Sequence, residues 1–64
     1  MLKGNKVIVF EDPITCQKRE GVATVTKVLQ KQEWQDAEGR QMYRCNVRFA
    51  GDRQVFERDV SYLA

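Results

Sequence analysis

The stretch that most constrains the fold is the alternation of side chains over residues 43–49. Apolar or aromatic residues occupy the odd-numbered positions and polar residues the positions between them, which is the period-2 pattern of a half-buried β-strand. Arg44 and Arg48 lie between the apolar positions, so we expect both side chains to face water. Residues 50–53 have the composition of a tight turn, and residues 54–57 are predicted to form the returning strand.

Two earlier runs rich in β-branched residues, 6–10 and 22–33, predict two further strands. In the first run the two valines are expected to point inward, which leaves Ile8 and Phe10 on the other side. A helix across residues 25–34 is the alternative for the second run, because its end contains good helix formers. The β-branched residues at its start favour the strand.

The connections between these strands follow from turn residues. Residues 11–20 are polar and contain Pro13, so we predict a long first loop. Residues 36–40 are predicted to form a hairpin tip with Gly39 in the left-handed conformation. The alternation of buried positions breaks near residues 26–27, which predicts a bulge there.

The chain is predicted to close with a short 3₁₀ turn over residues 58–61 and a last strand at 62–63. The sequence therefore predicts a single all-β domain over residues 1–64, a small five-stranded barrel with a long first loop and the 3₁₀ turn before its last strand. Its expected core consists of Val7, Val9, Ala23, Val25, Val28, Cys45, Val47, Phe49, Phe56, Val60 and Leu63.

Composition excludes several classes of protein. The chain has 64 residues with 11 basic and 9 acidic side chains, a net charge of +2, which is far from the charge of a dedicated DNA-coating protein. No apolar run approaches the roughly 20 residues of a membrane span, so no membrane association is expected. The opening MLKGNK lacks the apolar run of a signal peptide. We therefore expect a cytoplasmic protein whose two cysteines are reduced.

The sequence offers few groups for chemistry. There is no histidine, no phosphate-binding loop and no cysteine spacing typical of a metal site. Cys16 lies near Lys18 and Arg19, which favour a thiolate, but no neighbouring base is evident and an ordinary loop thiol is the simpler interpretation. We therefore predict a protein that is not an enzyme and that holds no cofactor and no metal.

Three segments resemble a known family of folds, the bacterial SH3-like barrels of the Tudor and KOW kind. The resemblance lies in the opening GNKVIVF (their G-[DN]-x-V-x-V), in ATVTKV (their G-x-V-x-x-V) and in NVRFAGDRQVFERDVSYL (their V-x-F-x-[DG]-G ending). The last segment is similar to the C-terminal Tudor-like domain of bacterial superfamily-one DNA helicases. Because these motifs consist of core and turn residues, the resemblance implies an SH3-like architecture and says little about function.

A second resemblance implies a remote enzymatic alternative. Plasmid-borne type II dihydrofolate reductases are SH3-like chains of similar length, and their tetramer surrounds a shared pore lined by a Gln-Ile-Tyr strand. The tripeptide Gln54-Val55-Phe56 is similar in place and pattern, although it lacks the tyrosine.

Binding to another macromolecule remains the main functional expectation. One candidate surface would bind nucleic acid through basic residues that follow a phosphate backbone, namely Lys27, Lys31, Arg44, Arg48 and Arg53. The other would dock onto a protein through the aromatic residues Phe10, Trp34, Tyr43 and Tyr62. A small domain without catalytic groups usually works by attachment, so we favour a monomeric module that docks onto a protein partner, with nucleic-acid binding as the alternative.

Overall fold

The computed structural model of the protein describes residues 1–61, which form one antiparallel β-sheet. Its strands are β1 (Lys6–Asp12), β2 (Gln17–Gln35), β3 (Gln41–Phe49) and β4 (Phe56–Val60), hydrogen-bonded in the order β1-β2-β3-β4. The predicted all-β class is confirmed. Residues 25–34 belong to β2, so the strand interpretation of that segment is correct and the helical alternative is wrong.

The predicted long loop over residues 11–20 is instead a tight hairpin. β1 extends to Asp12 and β2 already begins at Gln17, with a turn over residues 13–16. The Asp12 carboxylate closes this turn because its Oδ1 atom accepts hydrogen bonds from the backbone N–H groups of Ile14 (3.1 Å) and Thr15 (3.3 Å). The polar residues that suggested a loop are exposed strand residues.

Irregular pairing along β2 bends the sheet. The predicted bulge is confirmed by a shift of the β2–β3 register between Val25 and Lys27. A shift between Val9 and Phe10 accompanies Gly21, which has a φ of 149°. A Cβ atom at Gly21 would lie 3.6 Å from the ring of Phe49, an ordinary contact distance, so glycine is favoured here by its positive φ and not by lack of space.

The buried core lies on one face of the bent sheet and matches much of the prediction. Its buried apolar residues are Val7, Val9, Ala23, Val25, Cys45, Val47 and Val60. Val28, Phe49 and Phe56 were predicted to be buried and are only half-buried, and Val28 and Phe49 pack at the margin of the core. Leu63 lies outside the described residues.

Met42 is a buried residue that the sequence analysis missed. It is 2% exposed, whereas its neighbour Tyr43 is half-buried and packs against the core cluster. The regular pairing of β3 with β4 keeps Tyr43, Cys45 and Val47 on one face of the sheet. Met42 therefore lies on the other parity, apart from the core cluster, and the alternation of residues 43–49 gave no sign of its burial.

The last described strand starts later and runs further than predicted. β4 covers Phe56–Val60 instead of residues 54–57, and it pairs with β3 from Val47 opposite Phe56 to Tyr43 opposite Val60. The predicted 3₁₀ turn is therefore wrong over residues 58–60, because these residues continue the ladder with β3. The predicted strand at 62–63 lies outside the described residues.

Truncation of Met42 tests whether this position is buried. Met42→Ala should lower the free energy of unfolding by about 2–4 kcal/mol, because truncation of this buried side chain leaves a cavity. Leu29→Ala is the matched control, since Leu29 is 40% exposed on the neighbouring strand and should change stability by about 0.5 kcal/mol or less. Urea unfolding measures both, and equal losses would contradict the assignment.

Candidate binding surface

Three strands lie side by side at residues 23–25 of β2, and their outward side chains form rows across the sheet. Thr24 pairs with Lys6 of β1 on one side and with Arg48 of β3 on the other. Directly paired residues point to the same face of a sheet, and Lys6 and Arg48 are exposed. We call Lys6, Thr24 and Arg48 the basic row.

An apolar row lies next to the basic row on the same face. Val22 pairs with Ile8 of β1, and the backbone N–H of Ala50 donates a hydrogen bond to the Val22 carbonyl (3.5 Å). Val22 is 39% exposed, Ala50 is exposed and Ile8 is half-buried. We call Ile8, Val22 and Ala50 the apolar row.

The two rows border a shallow depression of about 310 Å³. We call this depression the outer groove; it is lined by Lys6, Val22, Ala23, Thr24, Thr26, Arg48, Phe49, Ala50, Gly51 and Asp52. The side chains of Ala23 and Phe49 belong to the opposite, core-facing parity. The groove therefore combines two cations, threonine hydroxyls and small apolar groups on a surface of rigid strands.

Arg44, one of the predicted nucleic-acid-binding residues, is neutralised within the sheet. Its Nε atom donates to Glu57 Oε1 (2.8 Å) and its Nη1 atom to Asp59 Oδ2 (3.0 Å), both on β4. The hydrogen bond with Glu57, opposed by burial, raises the pKa of the Arg44 guanidinium above its ordinary value. Arg44 therefore contributes little free positive charge to a ligand surface.

Arg58 is held in the same way on the opposite face. Its Nε and Nη2 atoms donate to the Glu20 carboxylate at 3.0 and 3.3 Å, and its guanidinium carbon lies 5.4 Å from the centroid of the Phe56 ring. Glu20 belongs to β2, which is not a hydrogen-bonded neighbour of β4. This ion pair therefore requires the sheet to curl so that β4 approaches the start of β2.

The other predicted basic residues are divided between surfaces. Lys27 lies opposite Asn46, two positions along β3 from Arg48 and on the same outward parity, so these two residues are brought together. Lys31 pairs with Tyr43, and Tyr43 pairs with the buried Val60 of β4. Lys31 therefore lies on the core-facing parity of the sheet, away from Lys27 and Arg48. Arg53 is exposed in the β3–β4 connection and does not line the outer groove.

The predicted aromatic surface is only partly described. Phe10, Trp34 and Tyr43 are each half-buried, and Tyr62 lies outside the described residues. Phe10 lines a second pocket with Pro13 and Arg58, and neither Trp34 nor Tyr43 lines that pocket. The three described aromatic residues therefore do not line one common pocket.

Sequence reasoning missed Lys6 as part of a basic surface. Its outward direction follows from the inward valines of β1, but its position beside Arg48 depends on two strand registers that the sequence does not specify. The alternation in β1 was the one signal in the sequence that the Lys6 side chain faces outward.

A second missed cluster joins the two hairpin ends. The Asp36 side chain is fully buried, and its Oδ1 atom accepts hydrogen bonds from the backbone N–H groups of Glu38 and Arg40, each at 2.9 Å. Its Oδ2 atom accepts from Arg40 Nε (3.0 Å) and lies 3.6 Å from Cys16 Sγ. The backbone N–H of Ala37 also donates to the carbonyl of Ile14 at 2.7 Å. These contacts dock the β2–β3 tip onto the β1–β2 turn.

The hydrogen bonds at Asp36 determine its ionisation. Burial of the carboxyl opposes the charged form, but the two backbone N–H donors and the Arg40 guanidinium together outweigh burial, so the pKa lies below its ordinary value of 3.8. Asp36 is therefore a charged anchor of the hairpin ends at neutral pH.

Within residues 1–61, no three histidine, cysteine or acidic side chains are grouped so that they can hold a metal ion. The same part of the chain contains no helix that is long and apolar enough to span a membrane.

Comparison of the chain with protein-family models, with curated proteins and with solved structures finds no match. The geometry of the chain itself therefore carries the functional argument.

Asp36→Asn should lower the melting temperature at neutral pH, and the melting temperature of the variant should fall less steeply than that of the parent chain as the pH is lowered. Because the folded pKa is depressed, the carboxylate stabilises the protein fully above the ordinary pKa of 3.8, and this contribution is lost as the pH falls through the folded pKa. Thermal melts between about pH 6 and about pH 2 measure the effect.

Glu33→Gln is the control for this experiment, because Glu33 is an exposed carboxylate at the end of β2, three residues before Asp36. It should leave the acid dependence close to that of the parent chain. An Asp36→Asn profile parallel to the parent profile throughout the acid range would contradict the role of Asp36.

Proposed function

We propose that this protein is a non-catalytic module that docks onto a protein partner through the outer groove. The observation that carries the proposal is the adjacency of an exposed apolar row and a basic row on rigid strands. Exposed apolar side chains grouped beside unpaired polar ones are typical of interaction sites. The proposal includes a cytoplasmic, monomeric protein that needs no cofactor.

The architecture that we propose for this module is a five-stranded SH3-like barrel. Two features support it: the bulges that bend β2, and the ion pair between Arg58 and Glu20, which draws β4 toward the start of β2. The fifth strand of this proposal is the predicted strand at 62–63.

Charge distribution favours a protein partner over nucleic acid. Arg44 is engaged by carboxylates of β4, and Asp52 lines the outer groove. A continuous phosphate backbone would meet the Asp52 carboxylate close to the basic row. Lys27 on the same outward parity as Arg48 is the observation that favours nucleic-acid binding, which we keep as the competing outcome of the tests.

The reductase alternative receives less support. Gln54 and Val55 are exposed in the connection before β4, and only Phe56 belongs to the strand. In the enzymes that the tripeptide resembles, a strand carries the whole motif. We therefore propose no reductase activity.

Selection of random displayed peptides on the immobilised protein tests the docking function. We expect peptides to be enriched on the parent chain and to lose most of their binding on Val22→Asp, because this change places an uncompensated carboxylate in the apolar row. Leu29→Asp is the matched control, since Leu29 is about as exposed as Val22 (40% against 39%) but does not line the groove.

Two outcomes would contradict the proposal. One is the absence of enriched peptides on a folded parent chain that retards single- or double-stranded DNA or RNA at about 50 mM salt. The other is equal loss of peptide binding in the Val22 and Leu29 variants, which would place the contact elsewhere on the protein.

A further inference from the structure

We propose that the outer groove takes an extended partner segment in which an acidic side chain lies two residues from an aliphatic one. This inference rests on the proposed docking function and adds the chemistry of the partner. Two observations support it: the spacing between the basic and apolar rows, and the absence of ion pairs at the basic side chains within residues 1–61.

The basic row is free to bind an anion. Lys6, Thr24 and Arg48 make no ion pair or side-chain hydrogen bond with any residue from 1 to 61, in contrast to Arg44 and Arg58. Their strands are adjacent, so the Cα atoms of Lys6 and Arg48 are separated by two strand spacings, about 10 Å. An ammonium, a hydroxyl and a guanidinium thus lie around a space that fits one carboxylate.

The apolar row lies one repeat further along the strands. Val22 precedes Thr24 by two residues, which corresponds to about 6.6 Å of strand rise. An extended peptide has the same repeat, because its alternate side chains point to the same side. A peptide that runs parallel to β2 therefore places its acidic residue over the basic row and an aliphatic residue two positions away over Val22 and Ala50.

The surroundings favour a single carboxylate over a polyanion. The basic row is short, and Asp52 lines the same groove. The Asp52 carboxylate repels a second negative group placed beside the first along a phosphate backbone, whereas Lys27 extends the positive area only at the other end of the row. The apolar row adjacent to the basic row also has no counterpart on a sugar-phosphate chain.

Fluorescence anisotropy tests this inference with two labelled synthetic peptides, Ser-Thr-Val-Thr-Glu-Thr-Val-Ser and its counterpart with Gln in place of Glu. A mixed-sequence single-stranded DNA oligonucleotide is the third probe. On the parent chain we expect the Glu peptide to bind about tenfold more tightly than the Gln peptide at low salt, and the difference to shrink as salt is added.

Two double variants of equal charge localise the effect. Lys6→Ala with Arg48→Ala should weaken binding of the Glu peptide about tenfold and leave that of the Gln peptide nearly unchanged. Lys31→Ala with Arg53→Ala also removes two positive charges, but from exposed positions outside the groove. This control should change binding of either peptide by about twofold or less, because only general charge is lost.

A charge exchange distinguishes direct contact from loss of structure. Arg48→Glu should abolish binding of the Glu peptide, and a peptide with Lys in place of that Glu should then bind the variant more tightly than it binds the parent chain. Recovery of binding by the exchanged pair requires a folded groove, so a variant that merely unfolds cannot produce it.

The remaining outcomes distinguish failure of the acidic segment from failure of the docking function. If the selection enriches peptides but the Glu and Gln probes bind equally, or both fail to bind, the acidic segment is wrong and the docking function stands. If no peptide is enriched and the oligonucleotide binds with a dependence on Lys6 and Arg48, the docking function and the acidic segment both fail, and the groove is a phosphate site.

Discussion

The structure depends on the short overlap where β2 has hydrogen-bonded neighbours on both sides. Ala23 pairs with Val7 and Phe49, and Thr24 pairs with Lys6 and Arg48. On the inner face this overlap brings valines of three strands together in the core. On the outer face the same pairing creates the basic and apolar rows. Core and candidate site are therefore two faces of one set of backbone contacts, and a shift of one residue would exchange them.

Ion pairs give the two faces their different roles. The arginines nearest β4 are engaged by carboxylates: Arg44 by Glu57 and Asp59, and Arg58 by Glu20. Pairs as exposed as these contribute little to stability. Their clearer consequence is the pattern of surface charge: carboxylates offset Arg44 on the outer face and Arg58 on the opposite face, whereas Lys6, Lys27 and Arg48 on the outer face form no ion pair within residues 1–61. A net charge of +2 is consistent with this small basic area.

Much of the strand content and part of the site could be predicted from residue patterns. The alternation around Val47 correctly assigned Cys45 and Val47 to the core and Arg48 to the surface, and the broken alternation near residue 26 correctly located a bulge. The prediction failed where side chains at a distance decided the local structure. The segment after Asp12 looked like a loop, because its polar residues gave no sign that they would continue a hairpin whose turn docks on Asp36 and Ala37.

The amino-acid sequence by itself determined where the central part of each strand lies and which side of β1 and β3 is apolar, because both follow from the period of residues along one chain. The tertiary structure decided which rows the strands form together. Lys6 and Arg48 flank Thr24, and Arg44 finds two carboxylates of β4, because the registers of the three strand pairs align these positions. Register is a relation between strands, and several alignments of the same apolar faces would bury similar area until packing and charge pairing select one of them.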